Sequence, residues 1–329
     1  MSRLILHVGT HKTGTSSVQS VLYANRLQLA GSGIIYPEPY FGVEHHSLIG
    51  SLQELAPAYL PPSGRMALWQ AMADSYAASD ACVIISSEMM SVAAAARPEF
   101  LTEVVQIIER FDELVVVCFF RNQVSYFQAG YLEKSKKRQP MALVDRVSKL
   151  LNLQNGSDRD LNHGRLYTRF KQVFGARSIC ALSYEAHATS PTGVLDAILS
   201  RTGHSVRAND LGDLSDLGSN RSPDPLATYV ARQVFDVPVL HPSMIGYART
   251  ALDRLYGEGH PSTLLTRTEI VALKEVFGAS NRQFDDELVR DGHAPLSLPF
   301  PDWSEYIHRE DLHAGYWLEL ARLMAVALP

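Results

Sequence analysis

The chain has 329 residues, enough for one large α/β domain or two small ones. Hydrophobic residues make up 46% and charged residues 20%, an ordinary balance for a globular protein that buries a full core. The formal net charge of −5 argues against a nucleic-acid binder, which usually carries a basic surplus, yet local positive charge can still hold a small polyanion.

The N-terminus runs directly into Arg3-Leu4-Ile5-Leu6-His7-Val8, without the longer apolar region and cleavage site of a signal peptide. Leu4–Val8 reads as a strand, and Thr15–Ala30 as a helix with Val18, Val21, Leu22 and Leu29 on one face. Ile34-Ile35-Tyr36 is a short strand closed by Pro37. Met66–Ala78 follows as a helix and Cys82–Ser86 as a strand. Pro98–Arg110 is a helix with proline in its first turn, where a missing N–H costs little. Leu114–Phe120 is seven apolar residues in a row, as expected of a strand buried on both faces. Asn122–Lys137 and Leu161–Phe174 read as helices, and Ser178–Ser183 as a further strand.

Beyond about residue 190 the pattern is mostly helical. Asn209–Pro225 is a polar loop, and Thr266-Arg-Thr-Glu269 is a capping box ahead of Ile270, Leu273, Val276 and Phe277. The last helix is expected over about Asp311–Ala327. Alternating strands and helices imply α/β architecture: a doubly wound, mostly parallel sheet flanked by helices, with a helical C-terminal part, read as a single domain over residues 1–329. Cys82, Cys118 and Cys180 each sit inside an apolar run and read as buried small hydrophobes, which suits a reducing cytoplasm. No stretch of eighteen apolar residues occurs, so no membrane span is expected.

Doubly wound sheets bind ligands beyond the carboxyl ends of their strands. Gly9-Thr10-His11-Lys12-Thr13-Gly14-Thr15-Ser16 follows the first strand, Ser86-Ser87-Glu88 the third and Arg121-Asn122 the fourth, so all three are expected along one edge. Gly9 and Gly14 bracket a tight strand-to-helix turn, and the helix start offers unpaired N–H groups. Lys12 adds charge, and Thr13, Thr15 and Ser16 add hydroxyl donors. The two glycines have the spacing of the nucleotide P-loop, but Thr15 stands where that motif has lysine, and Lys12 lies inside the bracket. A displaced lysine disfavours an ATPase or kinase.

The stretch Leu6–Gln19 resembles the 5′-phosphosulfate loop of bacterial sulfotransferases, which take sulfate from 3′-phosphoadenosine 5′-phosphosulfate (PAPS) and release PAP. The resemblance continues through Gly33–Pro37 with His45-His46, Ile84–Glu88, Leu114–Arg121, Phe170–Gly175 and Ile179–Glu185. Weaker pieces are Asn220-Arg221-Ser222 and Asn281-Arg282. It implies a P-loop-like sulfotransferase fold and places His11, Lys12, Thr13, Gly14, Thr15, Ser16 and Ser17 around the donor's phosphosulfate. It further implies that Arg121 holds the 3′-phosphate together with a serine two turns later. That position is Ala129 here, and Ser125, one turn after Arg121, is the substitute proposed. The run Lys134, Lys136, Lys137, Arg138 is a further source of charge or a solvated helix end.

Sulfuryl transfer asks the protein to position two partners and stabilise charge on the leaving phosphate, a role for Lys12 that in principle needs no metal. A base must take the acceptor's proton: His46 or His45, with Glu88 as the alternative. His7, His11, His45 and His46 have no carboxylate or cysteine at ligand spacing, so a metal site is not expected. Tyr36, Tyr40, Phe41, Tyr126, Phe127 and Tyr131 are candidates for an acceptor pocket as well as for the core. The acceptor, a small molecule or glycan, is not named by the sequence, nor is the oligomeric state. The alternatives are a P-loop-like nucleotide phosphotransferase (kinase) and a non-catalytic PAP or PAPS binder.

Overall fold

The computed structural model describes residues 1–49, 55–97, 99–137, 142–151, 161–217 and 223–327. The chain divides into two compact units, the first made of Met1–Arg121, Asn162–Asn220 and Ser280–Leu298, the second of Asn122–Leu161, Arg221–Ala279 and Pro299–Pro329. Pro98, Arg138 and Asn220-Arg221-Ser222 lie outside the described residues, as do the side chains of Lys136 and Lys137.

The first unit is built on five strands: β1 (Arg3–His7), β2 (Ile34–Ile35), β3 (Cys82–Ser86), β4 (Glu113–Phe120) and β5 (Ile179–Ser183). They pair in the order β2-β3-β1-β4-β5, every pair parallel. Register sets His7 beside Ser86 on one side and beside Val117 on the other. Side chains alternate across the sheet, as the pleat requires. Leu4, Leu6, Val83, Ile85, Val116, Cys118 and Phe120 enter one core with Trp69, Phe170 and Phe284. Ile5, Cys82, Ile84, Val117 and Phe119 enter the other with Val18, Val21, Leu22 and Ile198. Helices therefore cover both faces, and the fold is α/β and doubly wound. Each Val, Leu or Ile fully buried this way contributes about 1.5–3 kcal/mol.

Two helices depart from the pattern of the sequence. Thr15–Ala30 is broken at Asn25, leaving helices Thr15–Ala24 and Arg26–Gly31. The Asn25 amide donates to the carbonyls of Val21 and Asp213, and its Oδ1 accepts the Asp213 N–H, which fixes a non-helical backbone there. The stretch 99–110 forms two short helices, Glu99–Thr102 and Val105–Ile108. Arg65 Nη1 takes the Phe100 carbonyl, and the Val104 N–H, which a continuous helix would have sent there, goes to Leu101 instead.

The second unit is the helical part. Helices Gln123–Lys137 and Leu143–Leu151 bury Phe127, Tyr131, Leu143 and Leu150 with Leu273 and Phe277. Helices Pro225–Val234, Pro242–Tyr256 and Ala314–Ala327 pack through Leu226, Val230, Ala251, Leu252, Tyr316 and Leu320. The Thr266 capping box forms with both reciprocal bonds, Thr266 N–H to Glu269 Oε2 and Glu269 N–H to Thr266 Oγ1. The last helix starts at Ala314, because a 3₁₀ turn over Arg309–Asp311, closed by Asp311 accepting the His308 N–H, occupies the residues before it. No helix among the described residues is long and apolar enough to cross a membrane.

Candidate active site

The loop after β1 is pinned to β4. The Val8 and Thr10 amides donate to the carbonyls of Val117 and Phe119, and the Thr10 hydroxyl donates to Phe119 as well. Gly9, Lys12 and Gly14 all have positive φ, at 90°, 61° and 77°. At Gly9 the requirement is also steric: a Cβ there would lie 2.7 Å from the Glu88 Cβ and 3.1 Å from its Cα. At Lys12 a left-handed backbone costs a side-chain-bearing residue about 1 kcal/mol. It is held by Arg121, whose Nη1 donates to the Lys12 carbonyl at 2.7 Å. The Thr13 hydroxyl turns inward to the Thr10 carbonyl.

Gly14 is exposed and serves as the N-cap of helix Thr15–Ala24 without a side-chain cap. The first-turn amides of Thr15, Ser16 and Ser17 therefore have no capping side chain, beside the positive end of the helix dipole. Ser16 is exposed, Ser17 half-buried and Thr15 buried. A helix start of this kind, with Lys12 in the turn before it, has the groups that can hold an anion.

Arg121 closes β4. Besides holding Lys12, its guanidinium lies 5.0 Å from the centre of the Tyr184 ring, and Tyr184 also approaches Gly14. His163 donates Nε2–H to the Arg121 carbonyl at 2.7 Å, which also fixes the strand end. Arg121 is thus a brace for the loop, with one arm of its fork already used. Ser125 and Ala129, the positions tied to the 3′-phosphate by resemblance, belong to the second unit. Ser125 sits in the first turn of Gln123–Lys137, its amide capped by Asn122 Oδ1, and Ala129 is buried.

The two histidines expected to compete for the base role have different surroundings. His45 is buried, with Nε2 on the Pro37 carbonyl at 3.0 Å and Nδ1 accepting the Ser86 N–H at 3.2 Å. Burial, against those backbone bonds, pushes its pKa down to about 4, so it is a neutral tie between the end of β3 and the loop after β2. His46 has Nδ1 2.8 Å from Ser87 Oγ and Nε2 3.7 Å from Glu88 Oε1. Burial lowers its pKa below the ordinary imidazole value, partly offset by Glu88 and Glu44. Glu88 accepts from Gln19 Nε2 at 2.9 Å and lies 3.9 Å from His11 Nδ1. Burial alone would raise its pKa, but His46, His11 and the Gln19 bond outweigh it and hold the carboxyl below its usual range. Near neutral pH the pair is carboxylate beside neutral imidazole.

The loop, Ser86-Ser87-Glu88 and Arg121 do come together at the carboxyl ends of β1, β3 and β4. Lys12, Gly14, Thr15, Ser16 and Ser17 line the turn and helix start, and His11, His46 and Glu88 meet beside it. Among the aromatic candidates Tyr36, Tyr126, Phe127 and Tyr131 are core residues, whereas Tyr40 and Phe41 are 48% and 47% exposed. Gln19, Tyr184 and His163 carried no expected role in the sequence, and Ser87 only a place along the strand edge. Gln19 carried a signal, since it is a polar residue one turn after Thr15 beside the apolar Val18 and Leu22. No group of His, Cys, Asp or Glu suited to a metal ion occurs among the described residues.

No family model and no curated protein matches the chain. Among solved structures it is similar to a sulfotransferase from Alicyclobacillus acidocaldarius, at 14% identity and a TM-score of 0.39, over 83% of this chain and 95% of that one.

Proposed function

We propose that the protein is a sulfotransferase that moves a sulfuryl group from PAPS to an acceptor hydroxyl or amine. One observation carries this reading: Glu88 joins the anion cradle to a base. Its backbone packs on Gly9, its carboxylate is held by Gln19 of the cradle's own helix, and the same carboxylate faces His46 at 3.7 Å. A site that only bound a phosphate would have no use for a neutral imidazole steadied beside it. The position of Lys12 inside the glycine bracket supports sulfate rather than nucleotide triphosphate chemistry, since Thr15 stands at the usual lysine position.

In this reading Lys12 and the amides of Thr15, Ser16 and Ser17 grip the donor's 5′-phosphate and stabilise the charge that grows there. The bond from sulfur to the phosphate oxygen breaks as the acceptor oxygen or nitrogen bonds to sulfur. The acceptor's proton passes to His46 Nε2. Ser87 holds Nδ1, and Glu88 stabilises the imidazolium that forms. PAP leaves with the bonding electrons as an anion.

Transfer of labelled sulfate from PAPS to a panel of acceptors tests this. His46→Ala is expected to lower turnover about 100-fold while PAP affinity stays within about twofold. The acid limb of kcat/KM should fall below pH 6.5, the ordinary histidine value, because the base acts only when deprotonated and its pKa is lowered. Unchanged turnover in His46→Ala together with a large loss in Glu88→Gln would move the proton to the carboxylate. An ATP-dependent phosphoryl transfer would replace the reading altogether.

A further inference from the structure

The segment 37–44 beyond β2 is tied down at several points. The Tyr36 hydroxyl donates to the Val43 carbonyl at 2.7 Å, His45 bonds the Pro37 carbonyl, and Glu38 receives the Tyr23 hydroxyl and Arg26 Nε, each at 2.8 Å. A loop fastened this firmly still leaves Phe41 47% exposed, when the ordinary drive would bury it. Phe41 packs edge-on against Tyr59 at 4.8 Å between ring centres, and Tyr59 lies 5.5 Å from the ring of His46. A row of three rings thus leads from solvent to the proposed base. Glu44 stands within this row. Its carboxylate accepts the Tyr59 hydroxyl and the Val43 N–H and pairs with no lysine or arginine among the described residues. It is half-buried and close enough to His46 to bias that imidazole. A carboxylate whose partners among the described residues are neutral, set against aromatic rings, is chemistry that attracts an organic cation and repels an anion.

We infer that Glu44 is a specificity-determining residue on the acceptor side, and that with Phe41 and Tyr59 it seats an ammonium group, so the acceptor is an alcohol or phenol carrying a nearby positive charge. The inference rests on the sulfotransferase reading. Binding the ammonium at Glu44 leaves the acceptor's hydroxyl free to approach His46 and Glu88. The transfer itself is unchanged: the O–S bond forms, the sulfur–phosphate oxygen bond breaks, and the hydroxyl proton goes to His46. The ammonium keeps its protons. Sulfated or carboxylated acceptors are excluded by the same charge.

Three phenols of similar length separate the charges: tyramine, 4-ethylphenol and 3-(4-hydroxyphenyl)propionate. Their affinities for the full chain saturated with PAP are measured by calorimetry. Tyramine is expected to bind at least about tenfold more tightly than 4-ethylphenol, with the propionate weakest. Glu44→Gln can still accept the Val43 N–H on its oxygen and turn its amide N–H toward the Tyr59 hydroxyl, and it should erase the advantage of the amine without changing PAP affinity. Phe41→Ala, at an exposed position where folding is not at stake, should weaken tyramine in the same direction. Equal affinities, a preference for the anion, no phenol binding in the presence of bound PAP, or an unchanged amine preference in Glu44→Gln would each overturn the inference and leave the donor site standing. Failure of PAP itself to bind would remove the sulfotransferase reading, and the inference with it.

Discussion

At the scale of single residues, Gly9 and Glu88 constrain each other. The backbone of Gly9 at φ 90° and its contact with Glu88 each forbid a side chain. Gly9→Ala is expected to destabilise the fold by about 2–4 kcal/mol in denaturant titration, from left-handed strain and overpacking together. It should also cut turnover by pushing Glu88 off its partners. A loss below about 0.5 kcal/mol would show that the loop can shift. This part of the site was legible in the sequence, because glycine spacing and an internal lysine are local signals. The choice between His45 and His46 was not. The two are neighbours in the chain, and only the folded backbone shows that one is tied to Pro37 and Ser86 while the other faces Glu88. Arg121 was legible as an anchor, but its hold on the Lys12 carbonyl depends on β1 and β4 lying side by side.

At the scale of elements, what could be read was what a short stretch decides by itself. β3 and β4 followed from continuous apolar runs, because a parallel strand buried on both faces has no polar side to show. The capping box at Thr266 followed from two residues three apart. Thr266→Ala is expected to lower stability by about 1 kcal/mol, read as a shift in the denaturation midpoint at constant slope. No change would mean that water satisfies the freed amide equally well. The helix breaks at Asn25 and near Thr102 were illegible, since each is caused by a distant partner: the backbone at Asp213 for one and the guanidinium of Arg65 for the other. Apolar periodicity continues through both breaks, so a pattern count sees one helix.

At the scale of the whole molecule, acid response follows from three buried histidines. Burial holds His7, His45 and His163 at pKa values of about 4, against about 6.5 when unfolded. Between those limits the unfolded chain binds more protons than the native one, so stability rises with pH, by up to about 1.4 kcal/mol per pH unit for each histidine. Stability is fully present above pH 6.5 and is lost on acidification toward pH 4. Unfolding free energies should already fall between pH 6.5 and 5, before most carboxylates titrate; a flat profile there would contradict the neutral burial of these rings.

The cradle between Gly9 and Gly14 is the proposed donor site, and calorimetry with PAP reports on it most directly. The wild-type chain should bind PAP without magnesium and in preference to ATP, and Lys12→Ala should weaken PAP at least about tenfold, the worth of a charge-assisted contact. PAP affinity unchanged by Lys12→Ala, or tighter magnesium-dependent binding of ATP, would contradict it.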